Sequence, residues 1–141
     1  MSLPQHRFTY RIPLYEIDMG QAVYHGRYFH FFELAREALL RQAGFSYPEL
    51  VAQHFHLAVV EAVCRYRQPV RYNDDIDIIT TIPLLKSRSI QFHHQLFLAA
   101  TNKLATEATL TTVCITFAGK PAPLPQELRE KLLAFSGKPK G

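Results

Sequence analysis

The chain has 141 residues, 48% of them hydrophobic and 20% charged, and a formal net charge of +4 from 16 Lys and Arg against 12 Asp and Glu. That is ordinary for a globular protein and long enough for one domain with a real core, expected here over residues 1–141. The basic excess is spread out rather than gathered into the dense stripe of a nucleic-acid module, no apolar run nears the ~20 residues of a membrane span, and the opening residues lack a secretion signal, so a cytoplasmic protein is expected.

The first segment, 6–17, alternates, with Phe8, Tyr10, Ile12 and Leu14 on one face, which predicts a half-buried strand. Pro13 interrupts it and implies a sheet edge or a bulge. After Asp18 and Gly20 the period changes. Tyr28, Phe31, Phe32, Ala35, Leu39 and Ala43 fall at spacings of three and four, while Phe29, Leu34, Ala38 and Leu40 widen the apolar arc. This is a long helix covered over much of its circumference, and Gly44 is its natural stop. Ser46 is placed to cap a short helical turn over "SYPEL".

Four strand-like segments follow, at 57–70, 75–86, 88–100 and 104–119, rich in β-branched and aromatic residues and separated by turn-forming "RYNDD", "KSRS" and "TNK". A short amphipathic helix over 124–135, with Pro125 near its start, precedes a frayed tail. Cys64 and Cys114 each sit inside an apolar strand, which predicts buried, reduced thiols. The order of elements gives an α+β plan: one long helix against a five-stranded, mostly antiparallel sheet. A helix so broadly apolar needs more cover than one curved sheet supplies, so two chains are expected to meet with their sheets joined edge to edge.

Chemistry concentrates in Tyr15 to Glu33, "YEIDMGQAVYHGRYFHFFE". A helix beginning near Tyr24–Gly26 presents free amides and a positive dipole end, which suit a developing oxyanion. Gly26 lets a substrate approach the backbone closely. Asp18 lies just upstream; alone it reads as a turn or cap residue, and His25 alone as a polar residue of the first turn. Together they make a carboxylate beside an oxyanion pocket, the minimum equipment for acyl transfer. His54 with His56, and His93 with His94, lack a second cluster of ligands. Neighbours along a strand also point to opposite faces, so no metal is expected.

"EIDMGQAVYHGRYFHFFELAR" resembles the signature of hotdog-fold acyl-CoA thioesterases of the 4-hydroxybenzoyl-CoA thioesterase type, a group that includes the small Tol–Pal-associated enzymes. Asp18, Gly20, Val23-Tyr24-His25-Gly26 and Tyr28 carry the likeness, followed by Phe32-Glu33 and Ala35-Arg36. It extends to "VVEAVCRYRQPVRYNDDI", "SRSIQFHHQLF" and "GKPAPLPQELREKL", nearly the whole chain. The resemblance implies a long central helix wrapped by the sheet, a continuous sheet across a homodimer or homotetramer, and two interface sites. It also implies hydrolysis of an acyl-CoA without cofactor or metal.

On that resemblance Asp18 is the nucleophile or general base, His25 an active-site residue, and the backbone of His25 and Gly26 the oxyanion hole. Tyr24, Tyr28 and Phe29 are candidates to contact substrate, and Lys86, Ser87 and Arg88, in the turn before a strand, candidates to hold the CoA phosphates. Three positions depart from the pattern. Leu14 stands where many relatives carry Tyr, Ile17 where they often carry Thr, and Gln21 where Gly or His is common. Two competing functions share the fold: an acyl-CoA-binding module without chemistry, and a hydratase or dehydratase acting on acyl thioesters.

Overall fold

The computed structural model describes residues 4–18 and 20–136. The expected tail at 137–141 lies outside them. Five strands, β1 (His6–Arg11), β2 (Phe55–Tyr66), β3 (Asp75–Leu85), β4 (Ser89–Leu98) and β5 (Lys103–Thr116), form one sheet in the order β1-β3-β4-β5-β2, every neighbouring pair antiparallel. Helix α1 (Tyr28–Ala43) packs on one face, with α2 (Tyr47–Ala52) and α3 (Gln126–Leu132) closing one end.

Alternation decides which face is inside. Ile76, Ile78 and Ile82 of β3, Phe92 and Leu96 of β4, and Ala108, Leu110 and Cys114 of β5 are buried beneath α1 together with Thr80, His94 and Thr112 at the same period of two, while the residues that alternate with them face outward. Phe31, Phe32 and Ala35 join one half of the core, and Leu39 and Leu40 join the other with Phe45, Leu50, Leu128 and Leu132. α1 ends where Gly44, at φ 98°, adopts the left-handed conformation and donates to the carbonyls of Leu40 and Arg41. Ser46 and Glu49 form a reciprocal capping box at the start of α2, as the position of Ser46 predicts.

The polar side chains enclosed in this core include Thr80, Thr106, Thr112 and one imidazole, that of His94. The His94 ring lies between Phe32 (centroids 5.0 Å apart, planes at 10°) and Phe92 (6.1 Å, 5°), with Nδ1 2.9 Å from Thr80 Oγ1. Loss of water holds its pKa well below the usual histidine range, so it is neutral in the fold.

Several expectations need correction. β1 stops at Arg11 instead of running to 17, because Pro13 has no N–H to give and Leu14–Glu16 turn into a 3-10 helix. Leu14 is therefore 67% exposed and not on the buried face. The second strand spans 55–66, not 57–70, since residues 67–70 leave the sheet to meet the loop before α1. The last strand ends at Thr116 and the last helix covers only 126–132. Cys114 is buried and free as expected, while Cys64 is free but half-buried.

β1 and β2 are the sheet edges. β2 is the longer, carries a register shift between Val59 and Glu61, and exposes Val59, Val60 and Val63. Among the described residues no helix is long and apolar enough to cross a membrane.

Candidate active site

The loop between β1 and α1 is held in place at three levels. A bridge pairs Ile17 with Val23 and another pairs Ala22 with Arg71. The Val23 N–H reaches the Val70 carbonyl at 2.8 Å, fastening the loop to the segment leaving β2. Beneath it the Glu16 carboxylate, only 3% exposed, accepts from Arg27 Nη1 and His30 Nδ1, each at 3.2 Å. This ties the 3-10 turn before Asp18 to the start of α1. The loop thus belongs to the end of the sheet where β2 finishes and β3 begins.

Asp18 begins a four-residue turn. Its carbonyl accepts the Gln21 N–H at 3.0 Å and its Oδ1 accepts the Gly20 N–H at 2.8 Å. Gln21 takes φ 64°, an unusual conformation for a residue with a side chain. In the single chain the carboxylate is exposed.

Two residues past the bridge, His25–Arg27 form a 3-10 turn that leads into α1. The expected helix start near Tyr24–Gly26 is thus a tighter turn, with α1 proper starting at Tyr28. The Arg27 N–H binds the Tyr24 carbonyl at 2.9 Å and the Tyr28 N–H binds the His25 carbonyl. The amides of His25 and Gly26 have no backbone acceptor among the described residues, as the first positions of a helical turn require. A Cβ added at Gly26 would come within 3.2 Å of the Tyr24 ring, so glycine keeps this surface open.

Beside the turn lies an open cavity of about 260 Å³, lined by Ala22, Val23, His25, Tyr28, Tyr66 and Arg67 together with Gln68 and Pro69. His25 and Tyr28 therefore line the same cavity. Tyr28 is nonetheless a largely buried residue whose hydroxyl accepts the Val70 N–H at 3.2 Å. Tyr24 is 60% exposed and lies against the His25 ring, outside the cavity lining. Phe29 does not reach the cavity either: it packs edge-on against Phe32 at the margin of the core.

Lys86, Ser87 and Arg88 are exposed in the β3–β4 turn, fixed by Leu124 N–H to the Ser87 carbonyl and Cys114 N–H to the Arg88 carbonyl, each at 2.8 Å. They stand at the opposite end of the sheet from His25. The 11 residues of β3 separate the two ends, roughly 35 Å at the rise of an extended strand. A single chain does not bring them together. Sequence reasoning also missed Glu16 as the anchor of the loop and Tyr66 as a wall of the cavity. The acidic residue before Asp18 was visible in the motif, but nothing local marked Tyr66.

A family model described as the thioesterase-like superfamily matches residues 12–132. The chain belongs to this superfamily. Within the thioesterase-like proteins, the "Acyl-CoA thioester hydrolase YbgC" of Escherichia coli O157:H7 is 31% identical over 129 residues, which cover 91% of this chain and 96% of that one. A "Putative esterase" of Aquifex aeolicus (strain VF5) is 29% identical over 86% of this chain and 93% of its own length. Solved structures agree on the fold. A hypothetical protein from Aquifex aeolicus superposes with a TM-score of 0.84 at 26% identity, covering 90% of this chain and 98% of that chain. The DHNA-CoA thioesterase of Staphylococcus aureus gives 0.87 at 22%, covering 95% and 90%. The long helix on a five-stranded antiparallel sheet is thus the hotdog fold of thioesterases, as the resemblance implies.

Proposed function

We propose that the protein hydrolyses acyl-CoA thioesters to a carboxylic acid and free CoA. The observation that carries this reading is the pair of unsatisfied amides, His25 and Gly26, at a turn whose His25 borders an open cavity, a few residues beyond Asp18. A thioester carbonyl oxygen seated against those amides gains most from them once it becomes an oxyanion. Asp18 either attacks the carbonyl carbon itself or takes a proton from an attacking water. The tetrahedral intermediate then collapses with cleavage of the C–S bond, and CoA leaves as a thiolate that takes up a proton; where Asp18 is the nucleophile, water then cleaves the acyl–Asp18 anhydride, releasing the carboxylic acid and regenerating the carboxylate.

The same proposal includes a two-fold dimer through β2. This edge strand presents Val59, Val60 and Val63 to solvent in the single chain, an arrangement that invites pairing. A two-fold axis makes the two copies of β2 antiparallel, so the beginning of one lies beside the end of the other. The partner's turn 86–88 would then approach the Asp18 end of this chain, about 15 Å from the seam at ~4.8 Å per strand. CoA phosphates bound there could reach a thioester at His25, and the added subunit would enclose the Asp18 carboxylate.

The exposure of Asp18 in the single chain favours a second reading, an acyl-CoA-binding module without chemistry. One experiment separates them. Purified protein is offered short aliphatic, long-chain and aromatic acyl-CoAs, and free thiol is followed with a colorimetric reagent. Steady thiol release that disappears in a folded Asp18→Asn variant is expected. Binding without release, or near-normal turnover by Asp18→Asn, would overturn the catalytic assignment.

A further inference from the structure

Tyr66, the last residue of β2, lies 41 positions from His25 in sequence, yet its hydroxyl donates to the His25 carbonyl at 2.9 Å. Its ring stands 4.5 Å from the His25 imidazole and meets Tyr28 edge-on at 5.1 Å. The same carbonyl already accepts the Tyr28 N–H, so two donors converge on one oxygen. Burial, first, and the neighbouring Cys64 thiol push the Tyr66 pKa well above the usual phenol range, which keeps the hydroxyl a donor.

We propose that Tyr66 is a positioning residue for the oxyanion-binding turn, aiming the Gly26 amide through the carbonyl of His25. This rests on the thioesterase reading above. The reason is the geometry of one peptide unit. The His25 carbonyl and the Gly26 N–H belong to the same planar trans peptide and point in opposite directions, so fixing one fixes the other. Gly26 has no side chain to restrain this plane, and a short 3-10 turn restrains it weakly. A hydrogen bond from the far end of β2 supplies the missing restraint. It also polarises the peptide, which strengthens the N–H as a donor to negative charge. Tyr66 touches no reacting atom; it acts through the backbone.

Tyr66→Phe tests the idea, because it keeps both ring contacts and removes only the donor. Removing an oxyanion donor outright costs about 10²–10³ in kcat; loosening one should cost less. With an acyl-CoA that the wild type turns over, kcat is expected to fall about tenfold with KM held within about twofold, since the contact matters most when charge develops on the oxygen. Tyr66→Leu, which also removes the ring, should lose at least as much. Wild-type kcat in a folded Tyr66→Phe protein, with or without a lower melting midpoint, overturns the proposal by leaving Tyr66 a packing residue. A raised KM at unchanged kcat overturns it by making Tyr66 a substrate contact. Asp18→Asn runs in parallel. If it is inactive while Tyr66→Phe is fully active, only the positioning role fails; if it turns over normally, or the wild type does not turn over at all, the thioesterase reading fails and takes this role with it.

Discussion

Glu16→Gln is the most direct probe of how the reactive loop is held. The carboxylate is almost fully enclosed, with Oε1 3.2 Å from Arg27 Nη1 and Oε2 3.2 Å from His30 Nδ1. Arg27 Nη1 also donates to the Tyr15 carbonyl at 3.1 Å, so one guanidinium grips both the backbone and the side chain of the 3-10 turn at 14–16. Glutamine has the same shape and can keep its oxygen on Arg27 while giving its NH2 to Nδ1 of the other His30 tautomer, so what the substitution removes is the negative charge from both contacts.

A hydrogen bond to a charged group contributes about 1.5–3 kcal/mol. That range must be discounted, because the side chains of Arg27 and His30 are 42% and 61% exposed and water can replace what they lose. The net cost should be about 1–2 kcal/mol. For a chain of this length each kcal/mol moves the melting midpoint by about 3 °C, which gives a fall of roughly 3–6 °C. Differential scanning calorimetry at fixed protein concentration reads it, with urea unfolding to check that the m-value is unchanged. An unaltered or raised midpoint would refute the reasoning, by showing that the burial cost of this carboxylate matches or exceeds what its partners return.

The remaining predictions concern the buried histidine and the exposed edge. His94 is held neutral in the fold but titrates near 6.5 once unfolded, so below that value the unfolded chain binds a proton that the native one does not, and stability falls with pH. Between about pH 7.5 and about pH 5.5 this one group should remove about 1.4 kcal/mol; the loss is read by urea unfolding against His94→Gln, and equal pH slopes in the two proteins would contradict it. At the edge, Val60→Lys combined with Val63→Lys puts two charges on β2, a device that blocks strand pairing. Sedimentation should show a dimer in the wild type and a monomer in the variant, and a variant that stays dimeric would rule out β2 as the seam.

The parts of the fold that were readable in the sequence are those where a local pattern meets a single environment. Ile76, Ile78 and Ile82 alternate because one face of β3 lies under the helix, and Ser46 with Glu49 spells a capping box within four residues. Asp18, Gly20 and His25 were legible as a motif, and they do fall on the loop and turn at the start of α1. Legibility failed where the deciding partner is distant. Leu14 fits the alternation of β1, but Pro13 ends the strand and turns Leu14 outward. Phe29 resembles a pocket residue, yet its place is set by the Phe32 ring. Tyr66 is one aromatic among many until β2 carries it to His25.

Lys86, Ser87 and Arg88 show the same limit at larger scale. Their composition fits phosphate oxygens whatever the fold, but composition does not say at which end of a strand a turn will lie. In an antiparallel sheet the answer follows from counting. β3 starts at the end where the Asp18 loop is fastened, through the Ile12 N–H to the Asp74 carbonyl and the Val23 N–H to the Val70 carbonyl, so the turn that ends β3 must lie at the other. One protomer therefore separates its candidate anion site from its reactive turn by the full length of a strand. An antiparallel seam between two copies of β2 exchanges the ends, which is why the dimer and the CoA-binding role of residues 86–88 stand or fall together: a protein shown to be monomeric while active would have to bind its CoA phosphates elsewhere.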